Sequence, residues 1–571
     1  MIFFRPPRPW ILGPWRDLGF FVLTPVLIIP LVMVLQSRIQ LSVLGVWVLG
    51  LGGFGHHLPG FIRAYSDPEL FRQYKVRFIV TPMVLALVCG LFSYYDLNAV
   101  TLAVAVWGAW HGAMQINGFL RIYDAKVKSF APATAWLDWL MCLAWFGFAI
   151  LHSTVKQFAL IGHFYLSGGP LIPPAGLALF RHAWEAGTAV ITFLYLVNVY
   201  RQWKAETPPS PVKLLTMVSA FSFWWYCMVT LNNLLLGVVL WEIFHDIQYN
   251  AIVWLFERRH VEADVNAGAA EKFLFHPGFV RLSFYALLIA AYGYVGVVSS
   301  YVDIHLPEKI AAGESPLIWM VRVLAVSAFL HFYYDGFIWR VRNPNTRRGL
   351  GLQEGIATAS PGPGFLPVSR LWHGLKWILF AVPILALGFS QHQGWNMDQN
   401  RMFVNLVETV PESGTAHFLR ANFLKLDGDF RAAAEQYRQA VKFNPGFDQA
   451  HMFLSEMLYK IGLDSEALEE YRIAVDLEPA DAEARNNLGY LYLRAQQPVK
   501  AEVQFRKALA LAPQETDPAF GMASALLEQK RFREAEPFLQ STLKDFPGHT
   551  GALEGLSRIR EAEAKDSVLK K

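Results

Sequence analysis

Histidines recur inside apolar stretches of this chain, each beside another polar group. Gly55-His56-His57-Leu58-Pro59-Gly60 closes one stretch, and Trp110-His111-Gly112-Ala113-Met114-Gln115 lies within another. A third holds Glu242-Ile243-Phe244-His245-Asp246, and a fourth holds His331-Phe332-Tyr333-Tyr334-Asp335. Ionisable side chains in such stretches are costly and mark functional sites by default. Imidazole suits iron, zinc or copper, and a ligating imidazole needs an acceptor for its other nitrogen. His56, His57, His111, His245 and His331 are therefore the candidate ligands. Glu242 and Asp246 beside His245, Asp335 one turn after His331 and Gln115 one turn after His111 are the candidate orienting and catalytic groups. Glu242 and His245 have the Glu-x-x-His spacing used by carboxylate-bridged iron sites. No Cys-x-x-Cys-His haem signature is present. The set points to non-haem iron, as one ion or two, with zinc as the other occupant. A His-lined proton or ion path and plain polar packing are the competing readings. His152, His163, His182 and Glu185 form a further polar group that reads as surface chemistry.

The elements that carry these residues follow from composition. Of 571 residues, 54% are hydrophobic and only 17% charged, with mean hydropathy +0.28. Soluble domains carry roughly 25% charged residues. The composition excludes a disordered chain, a disulfide-rich secreted domain and a soluble nucleic-acid binder, so no nucleic-acid partner is expected. Three cysteines, Cys89, Cys142 and Cys227, leave no cysteine zinc site. Residues 1–400 carry 28 Lys+Arg against 20 Asp+Glu, a net of +8, whereas residues 401–571 carry 22 against 26, a net of −4. The chain divides there, into a multi-pass membrane domain and a second domain.

Apolar runs of about 18–23 residues suit membrane helices. Eleven are expected: 18–35, 42–62, 78–96, 98–120, 135–154, 183–201, 213–235, 237–256, 280–301, 317–339 and 372–390. The region 152–182 is too interrupted for a span and suits an interfacial helix. With the N-terminus in the cytoplasm, alternate loops hold 23 cations inside and 4 outside, as the positive-inside rule demands. The first apolar run lacks a cleavage site, so no removable signal peptide is expected. The expected setting is the cell's inner membrane, with the bilayer as partner. An odd count puts residues 401–571 on the outer, periplasmic side.

All four His-bearing helices run inward on this map. His57 precedes Arg63 by six residues, His111 precedes Arg121 by ten, His245 precedes Arg258 by thirteen and His331 precedes Arg340 by nine. The scatter is about 10 Å of depth, so a shared buried cluster is expected. Gly60-Phe61-Ile62-Arg63-Ala64-Tyr65 resembles Gly118-Phe119-Leu120-Arg121-Ile122-Tyr123, with Gly336-Phe337-Ile338-Trp339-Arg340 as a looser copy. Either helical hairpins were duplicated, or this is a common interfacial ending. Arg63, Arg121 and Arg340 are expected to rim the site and hold an anionic headgroup, or else only to anchor the helices.

The C-terminal part repeats. Pro445, Pro479, Pro513 and Pro547 are 34 residues apart, and Gly428 and Gly462, like Ala440, Ala474 and Ala508, keep the same period. Ala432–Tyr437–Ala440 and Ala467–Tyr471–Ala474 precede the prolines. The pattern is that of tetratricopeptide repeats, helix–turn–helix units of 34 residues. Four repeats are expected over about 414–547, with a polar capping helix at 549–564. The resemblance implies an all-α chain, a polytopic helical domain followed by an α-solenoid. Such solenoids take a protein or peptide partner in their groove.

The Trp110-His111 pair and the spread of His over several helices resemble the bacteriorhodopsin-related-protein family of membrane β-carotene dioxygenases. Membrane desaturases and hydroxylases are the wider analogy. The resemblance implies an iron oxidoreductase that activates oxygen and attacks a lipid-like C–H or C=C bond. That family's paired His on one helix is absent here, since Tyr249 follows His245 by one turn, and desaturase His boxes are absent too. An apolar substrate would enter sideways through a tunnel lined by Phe, Leu and Trp, ending near His111 and His331. Two other functions compete. One is a non-enzymatic membrane-anchored scaffold or assembly factor. The other is a multi-spanning glycosyltransferase with C-terminal repeats. Those enzymes need an acidic pair in the first outer loop, and Gln36-Ser37-Arg38-Ile39-Gln40-Leu41 has none.

Overall fold

The computed structural model describes residues 9–95, 97–129, 131–205, 207–231, 233–263, 269–275, 278–305, 317–339, 346–347, 350, 352, 366–393 and 398–569. Every regular element among them is a helix. The chain forms two compact units, Met1–Asp398 and Gln399–Lys571.

The first unit is built from α1 (Pro14–Val22), α2 (Thr24–Gln36), α3 (Leu41–Ser66), α4 (Pro68–Tyr94), α5 (Ala99–Lys126), α6 (Pro132–His152) and α7 (Thr154–Leu166). Then follow α8 (Pro174–Lys204), α9 (Pro211–Thr230), α10 (Leu234–Ala263), α11 (Ala269–Phe275), α12 (Phe279–His305), α13 (Leu317–Ile338) and α14 (Leu366–His392). Proline opens α4, α6, α8 and α9, where its missing N–H has no helical partner to lose. Asp67 caps α4 by accepting the Glu69 and Leu70 N–H groups at 3.0 and 2.9 Å. The interior is a continuous aromatic and aliphatic core that includes Phe119, Tyr123, Phe146, Trp224 and Phe244. Large apolar side chains such as Leu87 and Phe193 point outward.

Among the described residues, six helices are long and apolar enough to cross a membrane: α3, α4, α5, α6, α9 and the Phe279–Val298 part of α12. The α1/α2 pair, bent by 51°, makes a seventh if it counts as one span. The expected count of eleven is not reached on length and apolarity. Helices α8, α10, α13 and α14 occupy the other four places. Polar residues dilute two of them. Arg181, His182, Glu185 and Arg201 lie on α8, and Glu242, His245, Asp246 and Gln248 on α10. On α14 the apolar stretch is the shorter Trp377–His392. Residues 154–166, within the doubtful 152–182 segment, are the helix α7, capped by Ser153 Oγ accepting from the Lys156 N–H at 3.2 Å.

Helix α3 departs from regular geometry over Val48–Phe54, where it widens into a π-turn rich in glycine. A Cβ on Gly50 would collide with Val297 of α12, and one on Gly52 with the Asp246 carboxylate of α10. Glycine thus lets α3 approach both helices closely, just before it delivers His56 and His57.

The second unit opens with α15 (Gln399–Thr409). Four helical hairpins follow: α16 (Gly414–Leu426) with α17 (Phe430–Phe443), and α18 (Asp448–Lys460) with α19 (Asp464–Leu477). The next are α20 (Ala482–Arg494) with α21 (Pro498–Leu511), and α22 (Thr516–Glu528) with α23 (Phe532–Asp545). Helix α24 (Thr550–Leu569) closes the series. Ala433, Ala467, Ala501 and Ala535, spaced by one repeat, are fully buried and let the paired helices touch. The turn inside each hairpin needs a left-handed residue. Gly428 and Gly462 fill it at φ +85° and +84°, whereas Gln496 and Lys530 adopt +54° and +60° at the same repeat position.

Candidate metal centre

The five histidines meet inside the first unit. His56 and His57 come from the bend of α3, His111 from α5, His245 from α10 and His331 from α13. All five are at most 7% exposed. Ring centroids of His331 lie 4.5 Å from His57, 4.6 Å from His111 and 4.7 Å from His56. His245 is 5.0 Å from His56 and 5.3 Å from His111.

Among the described residues, potential ligand atoms fall into three overlapping groups, within each of which all atoms are at most 4.8 Å apart. They are His56–His57–His331, His111–His245–His331 and His56–Glu242–Asp246. His331 is shared by both histidine triads, and His56 joins one triad to the carboxylates. Both His56 and His57 lie in the cluster.

The far nitrogens of His56 and His57 are held as metal ligation requires. His56 Nδ1 lies 2.7 Å from Asp246 Oδ1 and 3.1 Å from the Gly52 carbonyl. His57 Nδ1 lies 2.8 Å from Ser327 Oγ, which is 2.9 Å from the Tyr292 hydroxyl. His56 Nε2 then faces His331 Nε2 at 3.1 Å. His111 Nε2 and His331 Nδ1 are buried without a hydrogen-bond partner. Buried polar atoms are rarely left so. A cation between these rings would use the orphaned lone pairs, so the donor set fits a borderline transition metal such as iron or zinc.

The carboxylates take different partners from those expected. Glu242 and Asp246 do not serve His245; they turn to His56, with Glu242 Oε1 3.9 Å from its Nδ1. The Glu-x-x-His pair therefore divides between two neighbouring groups. A Cβ on Gly53 would come within 2.7 Å of Glu242 Oε1, so glycine also makes room for this carboxylate. Asp335 stands 3.7 Å from His331 Nε2 and 3.9 Å from His111 Nε2. It accepts hydrogen bonds from the Tyr249 hydroxyl at 3.1 Å and Trp339 Nε1 at 3.0 Å. Gln115 was expected to orient His111. Its Nε2 instead donates to the His245 carbonyl at 3.2 Å, and Asp335 is the acidic neighbour of His111.

The arginines also differ from expectation. Arg63 does not rim an opening. It is 1% exposed, donates to Glu257 at 3.1 Å and lies over the Phe256 and Trp339 rings at 3.8 and 4.6 Å. A residue expected at the interface is thus half of a buried ion pair. Arg121 is partly exposed and pairs with Asp124 at 2.6 Å and Asp138 at 3.3 Å. Arg340 lies outside the described residues.

Sequence reasoning missed the partners of Arg121. Lys213 Nζ sits fully buried, 2.8 Å from both Asp124 Oδ2 and Asp138 Oδ2. The available signal was two aspartates and a lysine next to the ends of three apolar runs.

A cavity of about 1060 Å³ opens beside the cluster. His111, Tyr249 and Asp335 belong to its wall, together with Phe332 and several tryptophans, and Arg121 and Arg347 line it as well. His331 does not line it.

Comparisons bear on the second unit. The tetratricopeptide repeat family matches residues 492–559, and a TPR repeat description matches residues 456–496. No curated protein matches the chain. Among solved structures, a MamA protein is 17% identical, covering 25% of this chain and 79% of its own, with a TM-score of 0.24. YrrB, a TPR protein with an unusual peptide-binding site, is 18% identical over 32% of this chain and 90% of its own, with a TM-score of 0.27. PilW, a type IV pilus biogenesis factor, is 25% identical over 26% of this chain and 69% of its own, with a TM-score of 0.23. The C-terminal unit carries tetratricopeptide repeats.

Proposed function

We propose that the first unit is a membrane-embedded metalloprotein of the oxidoreductase class, and that the repeats bind a protein or peptide partner. The observation that carries this reading is the meeting of five buried imidazoles from four helices, with His111 Nε2 and His331 Nδ1 left without a partner and carboxylates beside them. Non-haem iron, as one ion or two, suits the donors, and zinc is the other candidate. His57, His331, His111 and His245 would hold it, and His56 would join them to the Glu242 and Asp246 side. When bound, iron supplies oxygen activation toward an apolar C–H or C=C bond. This is the chemistry implied by the resemblance to membrane β-carotene dioxygenases.

The chain's own residues have separate tasks. Asp246 and Ser327 hold His56 and His57 by their Nδ1 atoms, and His56 Nε2 faces His331 Nε2. Tyr249 and Trp339 hold Asp335 against His331 and His111. The aromatic part of the cavity wall suits an apolar molecule. The setting we propose is the inner membrane, with a cytoplasmic N-terminus, more spans than the six apolar helices, and the repeats on the outer side.

A second reading is a non-enzymatic membrane-anchored scaffold. The repeat matches over 456–559 favour it, because this fold serves protein interaction. Metal analysis of the full-length protein decides between the two. About one or two iron ions per chain are expected, lost in His111→Ala and in His245→Ala while the protein still inserts. Full retention in both variants would remove the centre, and metal-free wild-type protein from iron-replete cells would leave the scaffold.

A further inference from the structure

We infer that the cavity beside His111 takes a long-chain anionic amphiphile, with its head on Arg121 and Arg347 and its chain running along α5 to His111. The cavity volume, about 1060 Å³, is at the upper end of the roughly 300–1,000 Å³ of small-molecule sites. Its polar groups are separated along α5. His111 and Asp335 mark one end. Arg121 follows His111 by ten residues on the same helix, about 15 Å along the axis. An aromatic row joins the two. From Trp110, beside His111, the rings of Trp139 and Trp136 follow at 6.1 and 5.7 Å. They stand on the first turns of α6, where Asp138 meets Arg121. Such a wall suits a hydrocarbon chain.

The arginines select the head. Arg121 is 25% exposed and meets Asp124 and Asp138 through Nη1 alone. Its Nε and Nη2 have no hydrogen-bond partner among the described residues. Both aspartates are fully buried, stand outside the cavity lining and share Lys213. Arg121 therefore keeps charge and donors for a ligand. Arg347 is a second cation in the same wall. The Leu350 carbonyl, also on the wall, draws in Lys126 Nζ at 2.9 Å and Arg259 Nη1 at 3.2 Å. The planar fork of a guanidinium matches a carboxylate or a phosphate.

Asp335 is the one carboxylate among the described lining residues. It stands 3.9 Å from His111 Nε2, and its Oδ1 accepts from Tyr249 and Trp339. An ammonium head would pair with Asp335 but would leave the guanidinium end facing hydrocarbon. A neutral molecule leaves that end unmatched as well. An anionic head at Arg121 meets the cations and stays most of the cavity's length from Asp335.

The separation also acts as a ruler. An extended chain advances about 1.2 Å per bond, so the roughly 15 Å from Arg121 to His111 take about a dozen carbons. Carbons in the middle of the chain then lie beside His111. The inference rests on the proposed oxidoreductase reading for what happens at those carbons but not for binding. It narrows the occupant from any apolar molecule to a single chain ending in a carboxylate or phosphate.

Equilibrium binding of radiolabelled palmitate, hexadecyl phosphate, 1-hexadecanol and hexadecylammonium to the full-length, detergent-solubilised protein tests it, with empty micelles as blank. One or both anions are expected to bind at least about ten-fold more tightly than the alcohol and the ammonium, the worth of one charge-assisted hydrogen bond. The tighter anion tells a carboxylate head from a phosphate head. Arg121→Gln should bring that anion and the alcohol close to level. Arg347→Gln, which leaves the Lys213 pair untouched, should narrow the gap if Arg121→Gln does not fold. Palmitate with a diazirine at about its twelfth carbon should label Trp110 or Phe332 beside His111, read by mass spectrometry. An alcohol or ammonium that binds as tightly as both anions, no binding of any probe, or an undiminished preference in every folded variant would overturn the inference. So would mid-chain labelling confined to residues 121–125 or 347–350. Metal content measured on the same samples keeps the two readings apart. A metal-free protein that still prefers the anion refutes the metal centre and not the cavity.

Discussion

Lys213 shows how one residue can set a local charge balance. Its ammonium sits between the Asp124 and Asp138 carboxylates, 2.8 Å from each, with Arg121 on the same pair. Two cations and two anions cancel, and three helices, α5, α6 and α9, are tied at their ends. Burying such charges is tolerable only while the set is complete. Lys213→Met is therefore expected to destabilise the protein by about 3–5 kcal/mol, seen as a lower Tm in detergent. Adding Asp124→Asn and Asp138→Asn should recover much of that loss. An unchanged Tm in Lys213→Met would refute the clasp. Arg63 follows the same logic, since Glu257 and two aromatic faces compensate its burial.

At the scale of elements, the repeats share a bridge that their consensus does not advertise. His417, His451 and Arg485 occupy one position in successive first helices. Each reaches back to the carbonyl of Pro411, Pro445 or Pro479 at 2.9, 3.0 and 2.7 Å. Each also reaches a side chain on the second helix: Gln436 at 2.8 Å, Glu470 at 2.6 Å and Gln504 at 3.3 Å. Burial alone would lower the pKa of His451. The Glu470 carboxylate and the Pro445 carbonyl, with Asp448 nearby, outweigh it and raise the pKa above its ordinary value. A raised folded-state pKa stabilises fully below the unfolded value of about 6.5. That stabilisation is lost as pH rises through the folded-state value. Amide exchange in α18 and α19 of the full-length protein, corrected for the intrinsic rate, should thus show less protection at alkaline pH than at pH 6. His451→Arg, which copies Arg485 and stays charged, should abolish the difference. Equal pH dependence in wild type and variant would rule the bridge out.

For the whole molecule, the open quantity is the number of crossings. Six apolar helices would return the chain to the side it started from, whereas seven or eleven would place residues 399–571 on the opposite side. The split of 23 cations inside against 4 outside was obtained with eleven. An enzyme reporter fused after Lys571 distinguishes these counts. Activity is expected from a periplasm-dependent reporter such as a phosphatase, and silence from a cytoplasm-dependent one. The reverse pattern would establish an even count. One of α8 and α10, whose polar residues lower their apolarity, would then not cross the membrane.

Periodicity carried most of what was legible in the chain itself. The 34-residue spacing of Pro445, Pro479, Pro513 and Pro547 identified the repeats, because each unit is stabilised by its neighbours alone and must repeat its packing residues in register. The histidines were legible as a set, because an imidazole in an apolar helix is too costly to be incidental. Their partners were not. Whether Glu242 turns to His245 three residues away or to His56 on another helix depends on how α3 and α10 cross, and that crossing depends on Gly52 and Gly53 yielding space. Arg63 looked interfacial because sequence shows the end of a helix and not the Glu257 and Phe256 that cover it. Local spacing governs what lies on one helix, while contacts between helices far apart in sequence are set by tertiary packing. The cavity beside His111 exists only at that level.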